Sequence, residues 1–118
     1  MEQLEITAAE GKNGGRILRL RGPLELRTIA GFQTIAREEG WSSLIIDLSN
    51  VPYLDSAGLG SILGLFVSAQ RKRTGFAVAG ASSDRVRILF QVTHLGDFLP
   101  THATVADAET SLARAAVA

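Results

Sequence analysis

The chain has 118 residues, 46% of them hydrophobic, with 12 basic and 12 acidic side chains and no cysteine. That length suits one domain with a real core, and the charge balance leaves no global field to attract nucleic acid or an anionic membrane. The absence of cysteine excludes a disulfide framework and thiolate chemistry and fits a reducing compartment.

The start, MEQLEITAAE, is acidic and alternating, unlike a secretory signal, and no apolar run approaches the roughly 20 residues that span a bilayer. Direct membrane insertion is therefore not expected, and a cytoplasmic protein is. Leu4, Ile6 and Ala8 alternate with polar neighbours, as in a strand with one wet face. GKNGG (11–15) supplies turn residues, and Arg16 to Arg21 alternates again with Leu18 and Leu20 inward, so the first two strands predict a hairpin. Gly22-Pro23 ends it. Ile29, Phe32, Ile35 and Ala36 recur at helical spacing, which predicts a helix from about Arg27 to Glu39, closed by Gly40.

Leu44, Ile45, Ile46 and Leu48 form the continuous apolar run of a strand buried on both faces. A helix is predicted from about Ser56 to Arg73, followed by the short strand FAVA (76–79). Ser82, Ser83 and Asp84 offer caps for a third helix ending near Leu95-Gly96, and DFLPT (97–101) contains a last short strand. Thr104 and Asp107, spaced like a capping box, open a C-terminal helix. The order ββαβαβα(β)α is α/β, with parallel strands joined by right-handed crossovers after the hairpin. No internal repeat or linker divides the chain, so residues 1–118 are expected to form a single domain.

The stretch LDSAGLG (54–60) sits at the mouth between the central strand and the second helix. On that helix Leu59, Ile62, Leu63 and Phe66 form the core stripe, and Ala57, Gly60, Ser61, Gly64 and Ser68 are all small. Glycine inside a helix costs about 0.5–1 kcal/mol relative to alanine, so two on one side suggest close approach by something. That is either a neighbouring helix of the domain or another protein lying along a smooth strip that begins at Ser56.

Several chemistries compete for this mouth. Gly58, Gly60 and Gly64 spell GxGxxxG, but the acid expected after the next strand is missing from FAVAG, and no GxxxxGK[ST] occurs. A nucleophile elbow would read GxSxG, but Leu54 stands two residues before Ser56. His94 and His102 have no tie to Ser56 and no partners at ligand spacing, so neither catalysis nor metal binding is expected, and no cofactor is implied. Asp55 or Ser56 serves as an N-cap. Phosphate on Ser56 would also sit at a helix N-terminus, beside the like charge of Asp55. Asp47 is read as bonded to loop backbone near Ser49 and Asn50, Arg71 to Arg73 as complementing the helix dipole, and Trp41 and Tyr53 as packing around the central strand.

DLSNVPYLDSAGLGSILGL (47–65) resembles the signature of STAS domains, as found in bacterial anti-sigma factor antagonists. The resemblance extends to Gly22-Pro23-Leu24-Glu25, similar to a Gly-x-Leu-Asp turn, and to VRILFQVTHLGDFLP (86–100). It implies a mixed sheet with an N-terminal hairpin, then βα units, and the main helices on one side. It also implies a non-catalytic switch in transcription regulation. Such a domain binds an anti-sigma factor that is also a serine kinase and so frees the sigma factor. It is released by phosphorylation in the motif and restored by a phosphatase.

The family commonly carries a second hydroxyl after the first, where this chain has Ala57, so Ser56 is the one acceptor left in the motif. The partner-binding residues implied are Asp55, Ser56, Ala57, Gly60, Ser61 and Gly64. Asp-Ser-Ala-Gly is also similar to the small STAS subunits of bacterial lipid-transport ABC systems, which bind an ATPase subunit without a kinase.

Overall fold

A computed structural model describes residues 3–116; Met1, Glu2, Val117 and Ala118, including the first residues of the start read above, lie outside the described residues. Five strands form one sheet: β1 (Glu5–Glu10), β2 (Arg16–Arg21), β3 (Ser43–Asn50), β4 (Gly75–Ala79) and β5 (Thr101–His102). They lie side by side in chain order, β1 antiparallel to β2 and the rest parallel, so the sheet is mixed. Four helices complete the α/β fold: α1 (Ile29–Ala36), α2 (Ser56–Lys72), α3 (Asp84–Thr93) and α4 (Val105–Ala116).

The period of two along each strand divides the core between the two faces of the sheet. Leu18, Leu20, Ile46, Leu48, Phe76 and Val78 point to one face, where they meet Phe32 of α1, Ile62 of α2 and Val86 of α3. Ile17, Ile45, Ala77 and Ala79 point to the other, under Ala108 and Leu112 of α4. The main helices thus share one side. Covering both faces explains why β3 carries apolar side chains at the successive positions Leu44, Ile45 and Ile46, and each fully buried Leu or Ile contributes about 1.5–3 kcal/mol.

The hairpin pairs Ile6 with Leu20 and Ala8 with Leu18, although Ala8, read as facing inward, is exposed. At its end Gly22 adopts φ +110°, and a β-carbon there would overlap the Gln3 carbonyl oxygen, so glycine is needed.

The last strand, read within 97–101, lies at Thr101–His102, with Asp97 in a 3-10 turn, and three helix boundaries also differ from the sequence reading. Helix α1 ends at Ala36, not near Glu39, because the buried Arg16 guanidinium takes the Ile35 carbonyl at 3.1 Å and Arg37 serves as C-cap. It also starts late, since the Thr28 hydroxyl accepts from Glu25 N and donates to Pro23 O, closing a turn first. Helix α3 stops at Thr93, where His94 turns left-handed at φ 57°, and Leu95–Asp97 forms a 3-10 turn.

Candidate functional site

The segment between β3 and α2 is laced to the loop between β2 and α1. Leu24 N donates to Tyr53 O at 3.2 Å, Asp55 N donates to Leu24 O at 3.3 Å, and Leu24 and Leu54 form a parallel bridge. The Tyr53 hydroxyl donates to Glu25 Oε2 at 3.0 Å, and the Arg85 guanidinium lies 4.5 Å from the centre of the Tyr53 ring. Half-buried and engaged on both sides, Tyr53 acts as a brace.

Asp55 is the N-cap of α2. Its Oδ1 accepts from Gly58 N at 2.9 Å, and its Oδ2 accepts from Leu26 N at 3.1 Å. The Gly58 N–H bond, assisted by Leu26 and Ala57 N–H groups, holds the Asp55 carboxyl below its ordinary value against a smaller opposing effect of burial. Asp55 therefore fills the capping role that sequence alone divided between two residues.

Ser56 is left exposed at the first position of α2, and among the described residues its hydroxyl has no hydrogen-bond partner. It faces solvent at the positive end of a 17-residue helix.

Below it Gly60 and Gly64 are also exposed, and a β-carbon on either would meet nothing within 4 Å. The strip of small residues is open, with the half-exposed Val67 at its far end. Ala57 is half-buried on its edge. Contrary to the sequence reading, Ser61 is not on the strip: it is buried and its hydroxyl donates to Gly58 O at 2.7 Å. At 3.6 residues per turn Ser61 lies about 140° around the helix from Ser56, whereas Gly60 lies about 40° away. Its size put it with the glycines; its angle puts it under the domain.

Leu26, which the sequence did not single out, and Gly58, which it named only in a GxGxxxG pattern, complete the site. Leu26 is 70% exposed although apolar, beside the Asp55 carboxylate that holds its backbone. Gly58 is buried against the Leu24 carbonyl. Neither is legible without the fold, because both depend on contact between segments about 30 residues apart.

Elsewhere, Asp47 accepts from Ser49 N and Ser49 Oγ, at 3.0 and 2.6 Å, and lies 3.7 Å from Arg19, so it organises its own loop. Trp41 packs under the Arg16 guanidinium, 4.9 Å from the ring centre. His94 and His102 border an open hollow of about 700 Å³ that does not include Ser56. Among the described residues no group of three or more His, Cys, Asp or Glu could hold a metal, and no helix is long and apolar enough to cross a membrane.

A motif-bearing surface on a mixed five-stranded sheet can be compared with known families, and a model of the STAS domain matches residues 7–108. The chain belongs to the STAS domain family. Its relatives include the anti-sigma-B factor antagonist of Staphylococcus aureus (strain NCTC 8325 / PS 47), 28% identical over 85 residues, 70% of this chain and 78% of that protein. The crystal structure of an anti-sigma factor antagonist from Mycobacterium paratuberculosis superposes with a TM-score of 0.82 at 23% identity, over 93% of this chain and 94% of that one. The phosphorylated form of the Bacillus cell fate determinant SpoIIAA gives 0.66 at 19% identity, over 88% of this chain and 96% of that one. At these identities the superpositions establish the STAS fold. On that fold the candidate surface is a rim with Asp55 fixed by two backbone donors, Ser56 exposed beside it, and an open strip running away from it.

Proposed function

We propose that this chain is an anti-sigma factor antagonist. It binds an anti-sigma factor serine kinase through the rim formed by Leu26, Asp55, Ser56 and Ala57 and the strip of Gly60 and Gly64. Binding frees the sigma factor in the cytoplasm. The kinase then transfers the γ-phosphoryl group of ATP to Ser56 Oγ, the hydroxyl proton is lost, and ADP leaves. The modified antagonist releases its partner until a phosphatase restores the hydroxyl.

One observation carries this reading. Asp55 alone caps α2, so the exposed Ser56 hydroxyl has no structural duty and can be modified without dismantling the helix. The relatives named anti-sigma-B factor antagonist support the partner class, and the phosphorylated SpoIIAA supports the modification. Phosphate at this place gains from the helix N-terminus but adds nearly two negative charges beside Asp55, at the edge of an otherwise smooth surface. A partner surface fitted to glycines and a neutral hydroxyl then meets a large, hydrated anion.

The reading is tested by titrating the cognate anti-sigma factor with wild-type protein, Ser56→Ala and Ser56→Asp. Wild type and Ser56→Ala bind alike, and Ser56→Asp binds more weakly. Equal binding by all three removes the switch from Ser56. Capture of a transporter ATPase in place of an anti-sigma factor replaces the reading with that of a transport subunit.

A further inference from the structure

The Asp55 carboxylate is shared between two parts of the rim. Oδ1 holds the first turn of α2 through Gly58 N, and Oδ2 holds the loop between β2 and α1 through Leu26 N. The backbone lacing between these segments otherwise ends at Leu24, through its bonds with Tyr53 and Asp55. Beyond it, the Thr28 hydroxyl closes the turn on the loop's own Pro23 and Glu25, and Glu25 reaches the motif segment by its side chain. The Leu26 side chain, 70% exposed, is not buried among neighbours that could hold it. The hydrogen bond described from Leu26 itself to the motif segment is thus the one to this carboxylate oxygen.

We propose that Asp55 is a positioning residue through which phosphate on Ser56 acts on the Leu26 loop. This rests on the reading of Ser56 as the modified residue. A phosphate on the residue next to Asp55 repels its carboxylate and competes for the same N–H groups at the start of α2. The carboxylate turns away, and Leu26 N loses its acceptor to water. Because that N–H lies at the surface, the fold survives the exchange. Leu26 is then held less firmly within its turn, and a partner must order it again before it can be used. Release is therefore produced twice, by charge on the rim and by loss of a preset apolar side chain.

The test uses the full chain and no partner. Phosphoserine is installed in place of Ser56 by codon suppression, and Asp55→Asn is made separately. Asparagine remains a good N-cap through its oxygen, but presents an amide donor to Leu26 N. Amide hydrogen exchange is then followed residue by residue. Leu26 N–H is expected to exchange about tenfold faster in both proteins, the effect of losing a charge-assisted hydrogen bond. Val51 N–H, bonded to Leu48 O, keeps its rate. In the Asp55→Asn background the phosphate adds no further change at Leu26, since the link it acts through is already cut. An unchanged Leu26 rate with phosphate in place, or a phosphate effect of full size in the Asp55→Asn background, overturns the proposal. If Asp55→Asn does not fold, the phosphoserine protein decides alone. Because the phosphate is installed without a kinase, failure here stands apart from failure of a kinase to modify Ser56.

Discussion

Gly58 lies so close to the Leu24 carbonyl oxygen that a β-carbon on it would overlap that atom. Six residues further along α2, Gly64 faces open space. Two glycines of one helix thus have opposite duties, one letting two segments of the domain meet and the other keeping an outer face smooth.

Alanine separates these duties. Gly58→Ala forces the loop off the motif and is expected to cost about 1–3 kcal/mol, the usual range for overpacking. Gly64→Ala gains about 0.5–1 kcal/mol from helix propensity. Urea unfolding midpoints of the two variants should move in opposite directions.

The capping assignment yields a second contrast. Asp55→Ala removes the acceptor for Gly58 N and Leu26 N and is expected to lower stability by about 0.5–2 kcal/mol. Ser56→Ala removes an exposed hydroxyl without a partner and should stay within about 0.5 kcal/mol of wild type. Chemical denaturation of both proteins measures the difference, and an equal loss would mean that Ser56 shares the cap.

Local patterns made most of this fold legible. The alternation of Arg16 to Arg21, the apolar run of β3 and the signals around α2 are short-range features, and each fell where its period placed it. What the sequence hid was set by contacts across the fold. Nothing near Ile35 tells that Arg16 will take its carbonyl and help end α1 early. Nothing in the sequence marks Leu26, whose backbone is held by the Asp55 carboxylate with the side chain outside. Ser61 was legible in principle, because its angle on the helix, rather than its size, decides its face.

Acid should act on the same cap. The Asp55 carboxyl is held below its ordinary value, chiefly by the Gly58 N–H, so the folded state binds its proton less readily than the unfolded chain. Its contribution is fully present above the ordinary carboxylate value of about 3.9 and is lost as pH falls through the lower folded value. The stability difference between wild type and Asp55→Asn, measured against pH, should therefore shrink below about pH 4 and stay flat above about pH 5. A difference that grows on acidification contradicts this sign.

A large charged side chain on the strip should block a partner without harming the domain. Gly64→Arg points into solvent, so cooperative unfolding should be retained while anti-sigma factor binding falls at least tenfold. Loss of cooperativity in this variant would show that Gly64 is packed against the domain.

Under the proposed function, Ser56 is the hydroxyl on which partner binding turns. This is tested most directly by incubating the protein with its cognate anti-sigma factor kinase and ATP, then mapping the phosphosite by mass spectrometry. One phosphate is expected, on Ser56, with no complex between the modified protein and the kinase. Phosphate on Thr93 or Ser83 instead, or none on any residue while binding persists, would contradict it.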